Sequence, residues 1–372
     1  MKILIDINHP ADVHYFKNFI KIMEKKGHEF FIISRNKEIE HYLLKKYNIP
    51  FINRGKGKNS IKGKILYFFK AIYFIYKKAK AFKPDIIISF GTPYPAIVGW
   101  LTRTPHISFN DTEHAKFHHL LTDPFSKSIL TPSCYTKDLG KKQIRFNGYM
   151  ELCYLHPKYF KPDPFVLNLL DVRENEKYVI MRFVSWNAIH DVGHSGLSIE
   201  MKHKAVKELS KYAKVFLSSE GELPDDLKKY QINIPPEKMH DALAFATLFI
   251  GEGATMASEC ACLGTPAIYV NSLEVGYCTE EEHKYNLIYG FRNSKGVLEK
   301  ALDLLNTPNL KQEFQKRRLK ILADKIDVTA YMVWFIDNYP ESVKIMKKNP
   351  SEIEKRFHGA SPDYQNRFTQ DI

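Results

Sequence analysis

Short continuous runs of apolar residues alternate along the chain with segments of helical periodicity. The first half has apolar runs at residues 2–7, 29–34, 50–52 and 84–90, and helical patterns at 13–26, 39–47 and 61–82. Continuous runs rich in β-branched residues are typical of strands that are buried on both faces of a parallel sheet. Strands separated by helices in this way predict a doubly wound α/β domain.

The same alternation restarts in the second half of the chain, with apolar runs at residues 177–183, 213–219, 248–250 and 267–270. Residues 156–164, between the halves, are rich in proline, which is typical of a linker. A chain of 372 residues is longer than one ordinary core supports. We therefore predict an N-terminal Rossmann-like domain over 1–155 and a C-terminal one over 165–328, facing each other across a cleft. A helix within 329–346 is expected to cross back to the first domain, and 347–372 to form a polar tail.

Composition narrows the class of protein. The chain is 44% hydrophobic and 26% charged, as soluble globular proteins are, and its apolar runs are too short to span a membrane. Five cysteines with no CxxC pair predict a reduced, cytoplasmic protein. The net charge of +13 fits a nucleic acid, an anionic membrane or phosphorylated substrates, and it equally fits a lysine-rich solvated surface.

The stretch 249–270 is the most informative motif. An apolar strand ends in Gly251-Glu252-Gly253, a short helix carrying Glu259 follows, and Gly264-Thr265-Pro266 leads into the next strand. A turn into a helix N-terminus directs backbone N–H groups and the positive end of the helix dipole at one point, which suits a phosphate. The Glu259 carboxylate, about one turn along the helix, could accept hydrogen bonds from ribose hydroxyls. This pattern predicts a nucleotide-sugar site.

Several of these features resemble the GT-B glycosyltransferases. They are the two Rossmann-like halves, Gly27-His28-Glu29 before the second strand, Pro84-Asp85 before an apolar strand, and the stretch 249–270. The resemblance is greatest to the branch that makes lipid-linked sugars, including the N-acetylglucosaminyltransferase of peptidoglycan synthesis. The segments 8–14 (NHPADVH) and 182–188 (RFVSWNA) resemble signatures of an archaeal and bacterial family known only as a domain of unknown function.

The resemblance implies a donor site in the second domain. Its turn, Gly253, Ala254, Thr255 and Met256, would hold the phosphates of the donor, and Glu259 would hold the ribose. The alternative is that Gly253 and Gly264 serve tight packing and that Glu259 is a solvated helix residue.

Two further loops of the second domain are candidates for donor binding. Ser185, Trp186 and Asn187 follow its first strand and would hold the diphosphate, although the family has a glycine-rich loop there and the tryptophan is a departure. Ser219 and Glu220 end the next strand, where they form either a contact to the base or sugar or an ordinary polar loop.

In the first domain, the resemblance implies that His14 deprotonates or orients the acceptor. Histidine titrates near neutrality, and a helix N-terminus favours its neutral, basic form. Asp12 would either orient His14 or cap the helix, since Asp is a preferred N-cap. The alternative for His14 is a buried, hydrogen-bonded histidine, and His9 is a weaker candidate in the same loop.

A second polar group in this domain follows the strand 106–109. Asp111, Glu113 and His114 are expected to face the acceptor or the transferring sugar. They match no zinc motif, the chain has no strong DxD pair, and GT-B enzymes generally work without a metal. We therefore expect neither a metal nor a cofactor.

The basic helix 61–82 has two interpretations. Counting 100° per residue places Ile65, Phe68, Phe69, Ile72, Ile75 and Tyr76 on one face, and Lys70, Lys77, Lys78, Tyr67 and Phe74 on the other. Aromatic residues among lysines on an outward face suit an anionic bilayer, which would make the protein peripheral on the inner face of the membrane. Tyr67 and Phe74 would otherwise pack under a loop. The nearby Lys56, Lys58, Lys62 and Lys64 favour membrane contact.

Together these features predict a glycosyltransferase that moves a sugar from a nucleotide-diphosphate sugar, UDP-linked, to a glycan or lipid-linked acceptor. One alternative is a non-hydrolysing UDP-sugar 2-epimerase of the same fold, in which Asp111, Glu113 and His114 would serve as acid and base. Another is a non-catalytic protein that binds nucleotides or nucleic acid, which the positive charge alone suggests. Nucleic acid is the least favoured partner because no RNA-binding module is visible.

Overall fold

A computed structural model describes residues 1–37, 39–57, 60–184 and 197–358. Within these residues the backbone divides into two compact units. Unit 1 comprises Met1–Tyr154 and Ile326–His358, and unit 2 comprises Leu155–Lys325. Each unit has its own parallel sheet, so each has the α/β architecture that the alternating pattern predicts.

Unit 1 contains a sheet of seven parallel strands. They are β1 (Lys2–Ile7), β2 (Glu29–Ser34), β3 (Ile52–Asn53), β4 (Ile86–Phe90), β5 (His106–Phe109), β6 (Ser128–Pro132) and β7 (Gln143–Phe146). Their order across the sheet is β3-β2-β1-β4-β5-β6-β7. Leu4 of the central strand pairs with Phe31 on one side and Ile87 on the other. The order reverses between β1 and β4, which leaves a crevice at the carboxyl ends of these two strands.

Six helices follow or connect these strands. They are α1 (Pro10–Lys25), α2 (Glu40–Lys46), α3 (Ile61–Phe82), α4 (Pro93–Thr102), α5 (Lys116–Thr122) and α6 (Leu152–Leu155). Because crossovers between parallel strands are right-handed, α1 and α2 cover one face of the sheet, and α3, α4 and α5 cover the other. In agreement, α3 packs against α4, and α4 against α5.

The faces predicted for α3 are correct in part and wrong in part. Ile75 is buried in the core, and Ile72 and Tyr76 pack against it, as predicted. Ile65 and Phe69, predicted to face the core, are 56% and 64% exposed, whereas Tyr67 is buried and Phe74 packs against the core. The helix has apolar residues around most of its circumference, so periodicity alone does not identify the buried face. That face instead carries small residues at a spacing of eight, Gly63, Ala71 and Ala79, which let the helix approach its neighbours closely.

Unit 2 contains a sheet of five parallel strands. They are β8 (Tyr178–Phe183), β9 (Lys214–Ser219), β10 (Leu248–Gly251), β11 (Ala267–Val270) and β12 (Ile288–Phe291), in the order β12-β11-β10-β8-β9. Its helices are α7 (Phe165–Leu169), α8 (Ile199–Leu209), α9 (Met239–Phe245), α10 (Ala254–Leu263), α11 (Gly276–His283), α12 (Val297–Asn306) and α13 (Leu310–Asp324). The reversal in strand order falls between β8 and β10.

The chain then returns to unit 1 through α14 (Val328–Asp337), α15 (Glu341–Lys348) and α16 (Pro350–Glu354). Helix α14 packs against α1, and the Thr329 hydroxyl donates a 2.8 Å hydrogen bond to the carbonyl of Cys153. The Glu354 carboxylate accepts a 2.8 Å hydrogen bond from the backbone N–H of Asn147. These contacts attach the last described helices to the first unit. Among the described helices, none combines the length and apolar character that crossing a bilayer requires.

Candidate nucleotide-sugar site

In unit 2, the candidate donor residues lie at the carboxyl ends of β8 and β10, where the strand order reverses. These two strands are neighbours, with Gly251 opposite Arg182. The segments that leave them diverge to opposite sides of the sheet, and ligands of doubly wound folds bind in the crevice between such segments. The predicted turn 253–256 lies on one side of this crevice. Ser185, Trp186 and Asn187, predicted for the other side, lie outside the described residues.

The turn after β10 leads directly into α10, with Gly253 as the N-cap. No side chain of the described residues caps this helix, and Ala254, Thr255 and Met256 are only half-buried. The first-turn N–H groups of a helix have no acceptor within the helix itself. Within the part of the chain that the structure describes, the turn therefore offers the backbone donors and the helix dipole that an anion site needs. That it binds an anion stays a prediction.

The two glycines of the motif differ in what the fold requires of them. Gly264 has a φ of +72° and ends α10 in the left-handed conformation, which favours glycine. Gly253 has a φ of −94°, and a Cβ there would lie 3.6 Å from Val184, an ordinary contact. Packing therefore explains Gly264 but not Gly253. Close approach of a ligand to the backbone would explain Gly253.

Glu259 is buried in the second turn of α10, so the alternative that it is a solvated helix residue is wrong. Its Oε1 lies 2.9 Å from Nε2 of His240, a buried residue of α9. The ring of Phe160 contacts His240 from the side. His240 thus holds the Glu259 carboxylate in one orientation. No local pattern in the sequence marks His240, because the contact joins residues from two different helices.

Glu252 lies between Gly251, which ends β10, and Gly253, the N-cap of α10. It is another site residue that sequence reasoning missed. Its carboxylate accepts hydrogen bonds from the backbone N–H of Val184, at 2.8 Å, and of Leu197, at 2.6 Å. Lys202 approaches the same carboxylate at 3.7 Å. Burial raises the pKa of Glu252, and the two backbone donors and Lys202 oppose that rise. Glu252 therefore anchors both residues that flank the segment 185–196. The presence of a carboxylate within the phosphate motif is the sequence signal that could have identified Glu252.

Ser219 and Glu220 stand at the end of β9, next to β8. The Arg182 guanidinium donates to the Ser218 hydroxyl at 2.7 Å and to the Glu220 carboxylate at 3.0 Å. Ser219 is half-buried beside this pair. The loop is thus tied to the strand that precedes the 185–187 segment, and Arg182 adds a positive charge to this edge.

In unit 1, the segment after β1 has its own hydrogen-bond network at the reversal between β1 and β4. The Asp12 carboxylate accepts from the backbone N–H groups of Asn8, at 2.9 Å, and His9, at 3.1 Å. His9 is the N-cap of α1, and its Nδ1 accepts from the N–H of Ala11. Asp12 and His9 thus form a capping box. Asp12 caps the helix start from the third helical position, whereas the N-cap position predicted for Asp12 is occupied by His9.

A buried ion pair stabilises the segment 8–12. Nε of Arg54 donates to Oδ1 of Asp6 at 2.9 Å, and neither side chain is exposed to solvent. Arg54 also contacts Asn8 and Tyr67. Asn8 in turn donates a 2.6 Å hydrogen bond to the Thr92 hydroxyl, which follows β4. The network joins the two strands at the reversal and holds the 8–12 segment in place.

His14 lies one turn further along α1 and is buried. Its Nδ1 is 3.5 Å from the hydroxyl of Tyr47, and its ring lies against that of Tyr154. Only 7% of the residue is exposed, which leaves little surface for an acceptor in this conformation. The surroundings are those of the alternative interpretation, a buried and hydrogen-bonded histidine. The role of His14 as a base stays a prediction.

Asp111 and Glu113, after β5, are both buried, whereas His114 is half-buried. Burial raises the pKa of Asp111 to about 7, and the neighbouring Glu113 adds to the rise. Burial likewise raises the pKa of Asp12 to about 7, with Asp6 and Asp111 contributing. The edge of this sheet therefore carries two carboxyl groups that exchange protons near neutrality, which is the range that acid–base catalysis uses.

Two contacts of Glu113 and the nearby His119 connect this segment to the residues after β6. Oε1 of Glu113 accepts from the backbone N–H of Thr136, and Nε2 of His119 lies 2.9 Å from the hydroxyl of Tyr135. Within the described ranges, no three His, Cys, Asp or Glu side chains are grouped so that they could hold a metal ion.

Solved structures of known proteins share this architecture. The S. aureus MnaA–UDP co-structure has a TM-score of 0.67 at 13% identity and covers 92% of this chain and 98% of its own. The UDP-GlcNAc 2-epimerase from Neisseria meningitidis bound to UDP-GlcNAc has a TM-score of 0.64 at 12% identity, covering 84% and 94%. The spinosyn rhamnosyltransferase SpnG complexed with spinosyn aglycone has a TM-score of 0.58 at 13% identity, covering 91% and 100%.

At these identities the likeness shows the fold alone, and the fold is GT-B. The family model for a protein of unknown function, DUF354, matches residues 1–336, and the chain belongs to that family. It is 25% identical over 279 residues to the uncharacterized protein MJ0665 of Methanocaldococcus jannaschii, covering 72% of this chain and 81% of that protein. The predicted resemblances, to GT-B proteins and to a family of unknown function, are confirmed.

Proposed function

We propose that this protein is an enzyme that binds a nucleoside-diphosphate sugar, UDP-linked, in unit 2 and transfers the sugar to a glycan or lipid-linked acceptor. The observation that carries the proposal is the N-terminus of α10, which no side chain of the described residues caps, at the reversal of the strand order. This helix start includes Gly253, which packing does not explain, and the buried carboxylate of Glu259 lies one turn further along α10.

The chemistry of the donor suits this arrangement. Gly253, Ala254, Thr255 and Met256 would present backbone N–H groups to the diphosphate, which becomes more negative as the sugar leaves. Glu259, oriented by His240, would accept hydrogen bonds from the ribose. The segment containing Ser185, Trp186 and Asn187 would complete the phosphate contacts, with Glu252 anchoring the residues on either side of it. Ser219 and Glu220 would contact the base or the sugar.

Unit 1 would supply the groups that act on the acceptor. His14 is the proposed base, Asp12 holds the loop before it, and His9, Asp111, Glu113 and His114 would contact the acceptor or the sugar. Because the helix N-terminus and backbone donors balance the phosphate charge, we propose that the reaction needs no metal ion. Activity that is unchanged by a chelator is the expected result, and activity restored only by a divalent cation would contradict it.

A second function, epimerisation of a UDP-sugar, is favoured by one specific observation. Asp12 and Asp111 both have a pKa raised to about 7 by burial, and Asp111 lies close enough to Asp12 to add to the rise of the Asp12 pKa. Inverting a carbon of the sugar ring requires one group to remove a proton and another to return one, and such groups work best near the ambient pH. Structural neighbours include proteins of both activities.

Calorimetry against UDP, GDP, ADP and dTDP tests the donor site first. We expect one nucleotide, UDP, to bind with a Kd in the micromolar range. If none of the four binds, the proposed function is wrong.

A second experiment tests turnover by incubating the protein with UDP-GlcNAc alone in D₂O. Neither an epimer nor free UDP is expected without an acceptor, whereas a deuterium-labelled epimer would replace the transferase with the epimerase. Binding of UDP with no turnover under any acceptor would indicate a non-catalytic nucleotide-binding protein.

A further inference from the structure

Unit 1 exposes an unusual number of large apolar side chains on three consecutive helices. Nine are exposed on α3, α4 and α5: Ile61, Ile65, Leu66, Phe69, Tyr73, Trp100, Leu101, Phe117 and Leu120. Several are exposed over about two thirds of their surface, including Tyr73 at 68% and Leu120 at 67%. Single exposed apolar residues are normal on a protein surface, but a group of this size marks an interaction site. We call these nine residues the apolar surface.

The three helices belong to one layer. They cover the same face of the seven-stranded sheet, and each packs against the next. On α3, the residues Ile61, Ile65, Phe69 and Tyr73 follow one another at intervals of four, so they form a stripe along the outer side of the helix. The buried residues Tyr67, Ala71, Ile75 and Ala79 form the opposite stripe. The helix thus has two apolar sides, and only one of them packs against the rest of unit 1.

The charge on this layer has a single sign. The sequences of α3, α4 and α5 contain no Asp or Glu, whereas α3 has six lysines and α5 one. Lys62, Lys70 and Lys77 are exposed and flank the stripe on α3. Lys116, Lys141 and Lys142 line a cavity of about 590 Å³ beside Leu120, together with the single carboxylate of Asp123. Positive charge therefore predominates next to the apolar surface.

We propose that the apolar surface binds an anionic lipid bilayer, with the apolar side chains at the boundary of the acyl chains and the lysines on the headgroup phosphates. Helices that lie in the membrane interface combine Trp, Phe and Leu with Lys in this manner. The centres of protein–protein interfaces are instead depleted in lysine, which makes a protein partner a poorer match. The proposal does not depend on the nucleotide site. It replaces Tyr67, which is buried, and Phe74, which packs half-buried against the core, with residues that are exposed.

Vesicle co-sedimentation of the full chain tests the proposal. Vesicles of phosphatidylcholine mixed with an equal part of phosphatidylglycerol should bind the protein, and pure phosphatidylcholine vesicles should bind it at least about tenfold less, because each lysine near an anionic surface adds to binding. The triple variant Leu66→Ser/Phe69→Ser/Tyr73→Ser should lose binding by about tenfold or more. The variant Lys62→Gln/Lys70→Gln/Lys77→Gln should bind less and respond less to salt.

A matched control changes exposed apolar residues elsewhere. Phe165→Ser/Ile199→Ser/Tyr212→Ser alters three exposed residues of unit 2 and should bind vesicles as the wild type does. Unchanged circular dichroism and thermal unfolding of all variants would show that they are folded. Failure of the wild type to bind the anionic vesicles would overturn the proposal, as would undiminished binding by the Leu66/Phe69/Tyr73 variant. Concentration-dependent dimerisation that this variant abolishes, without vesicle binding, would identify the surface as a contact between copies of the chain.

Discussion

Nε2 of His240 lies 2.9 Å from Oε1 of Glu259, and both side chains are buried. The contact joins α9 to α10 and leaves the carboxylate little freedom to rotate. A carboxylate held in this way loses little conformational entropy when it accepts the hydroxyls of a ligand, which is what a specific ribose contact requires.

Replacing Glu259 with Gln tests this role. We expect the Glu259→Gln variant to bind UDP about tenfold or more weakly, since a hydrogen bond to a charged group contributes about 1.5–3 kcal/mol. The wild type should also prefer UDP to 2′-deoxy-UDP, and the variant should lose that preference. Calorimetry with UDP and 2′-deoxy-UDP measures this preference in both proteins. Glu299→Gln, at an exposed position, is the matched control. A variant that retains the preference would show that Glu259 does not contact the ribose.

The two glycines of the donor motif should separate binding from stability. Gly253→Ala fits the backbone and the available space, so it should lower stability only by the amount, below about 1 kcal/mol, that alanine costs relative to glycine at an N-cap. UDP affinity should fall, because the methyl group projects where the phosphates are proposed to lie. Gly264→Ala places a side chain at a φ of +72°, so it should destabilise the unit by about 1 kcal/mol or more with little effect on affinity. Thermal unfolding and calorimetry on both variants check this. The opposite pattern would exclude the turn as a phosphate site.

Glu252 should control the backbone on both sides of the segment 185–196. In Glu252→Gln, the neutral side chain can accept only one of the two backbone hydrogen bonds well. Amide hydrogen exchange in peptides containing Val184 and Leu197 should therefore become faster. UDP affinity should fall as well, by a few-fold, if the segment contacts the diphosphate. Glu222→Gln, at an exposed position, should leave both measurements unchanged. Unaltered exchange in the Glu252 variant would argue against the anchoring role.

The buried carboxyl of Asp111 should make stability depend on pH. Its pKa is about 7 in the folded protein, against about 3.9 in an unfolded chain, so the folded state retains a proton that the unfolded state has lost. Stability should therefore fall as the pH rises from about 4 to about 7, and level off above that. In Asp111→Asn, the change in melting temperature over this pH range should be smaller by several degrees. Asp225→Asn is the control. Identical profiles for wild type and Asp111→Asn would contradict the raised pKa.

The Asp6–Arg54 pair should behave as a buried ion pair whose partners depend on each other. Arg54→Met leaves the Asp6 carboxylate buried without its counter-ion, so the free energy of unfolding of unit 1 should fall by about 3–5 kcal/mol. The double variant Asp6→Leu/Arg54→Met removes both charges and should be more stable than Arg54→Met alone. Urea denaturation of the three proteins measures the difference. A double variant that is less stable than the single one would show that the two residues act independently.

The sequence by itself determined the fold class and the position of the turn 253–256, which we propose binds the donor. Strands buried on both faces must be apolar throughout, and the helices between them must be amphipathic, so the alternation over 2–90 and 177–270 is a direct consequence of the doubly wound architecture. The turn 253–256 could be recognised for the same reason. Its glycines, its helix start and Glu259 are neighbours along the chain, and local chemistry is visible in local sequence.

Tertiary structure decided which groups meet across elements. His240 reaches Glu259, Glu252 reaches Val184 and Leu197, and Arg54 reaches Asp6, each over 19 or more positions of sequence that carry no pattern for the contact. The fold also decided which side of α3 is buried. The helix is apolar on two sides, and the choice between them depends on the small residues and on the Arg54–Tyr67 contact that only the packed sheet provides. A hydrophobic pattern reports that a face is apolar, whereas the packing around it determines whether the face is covered.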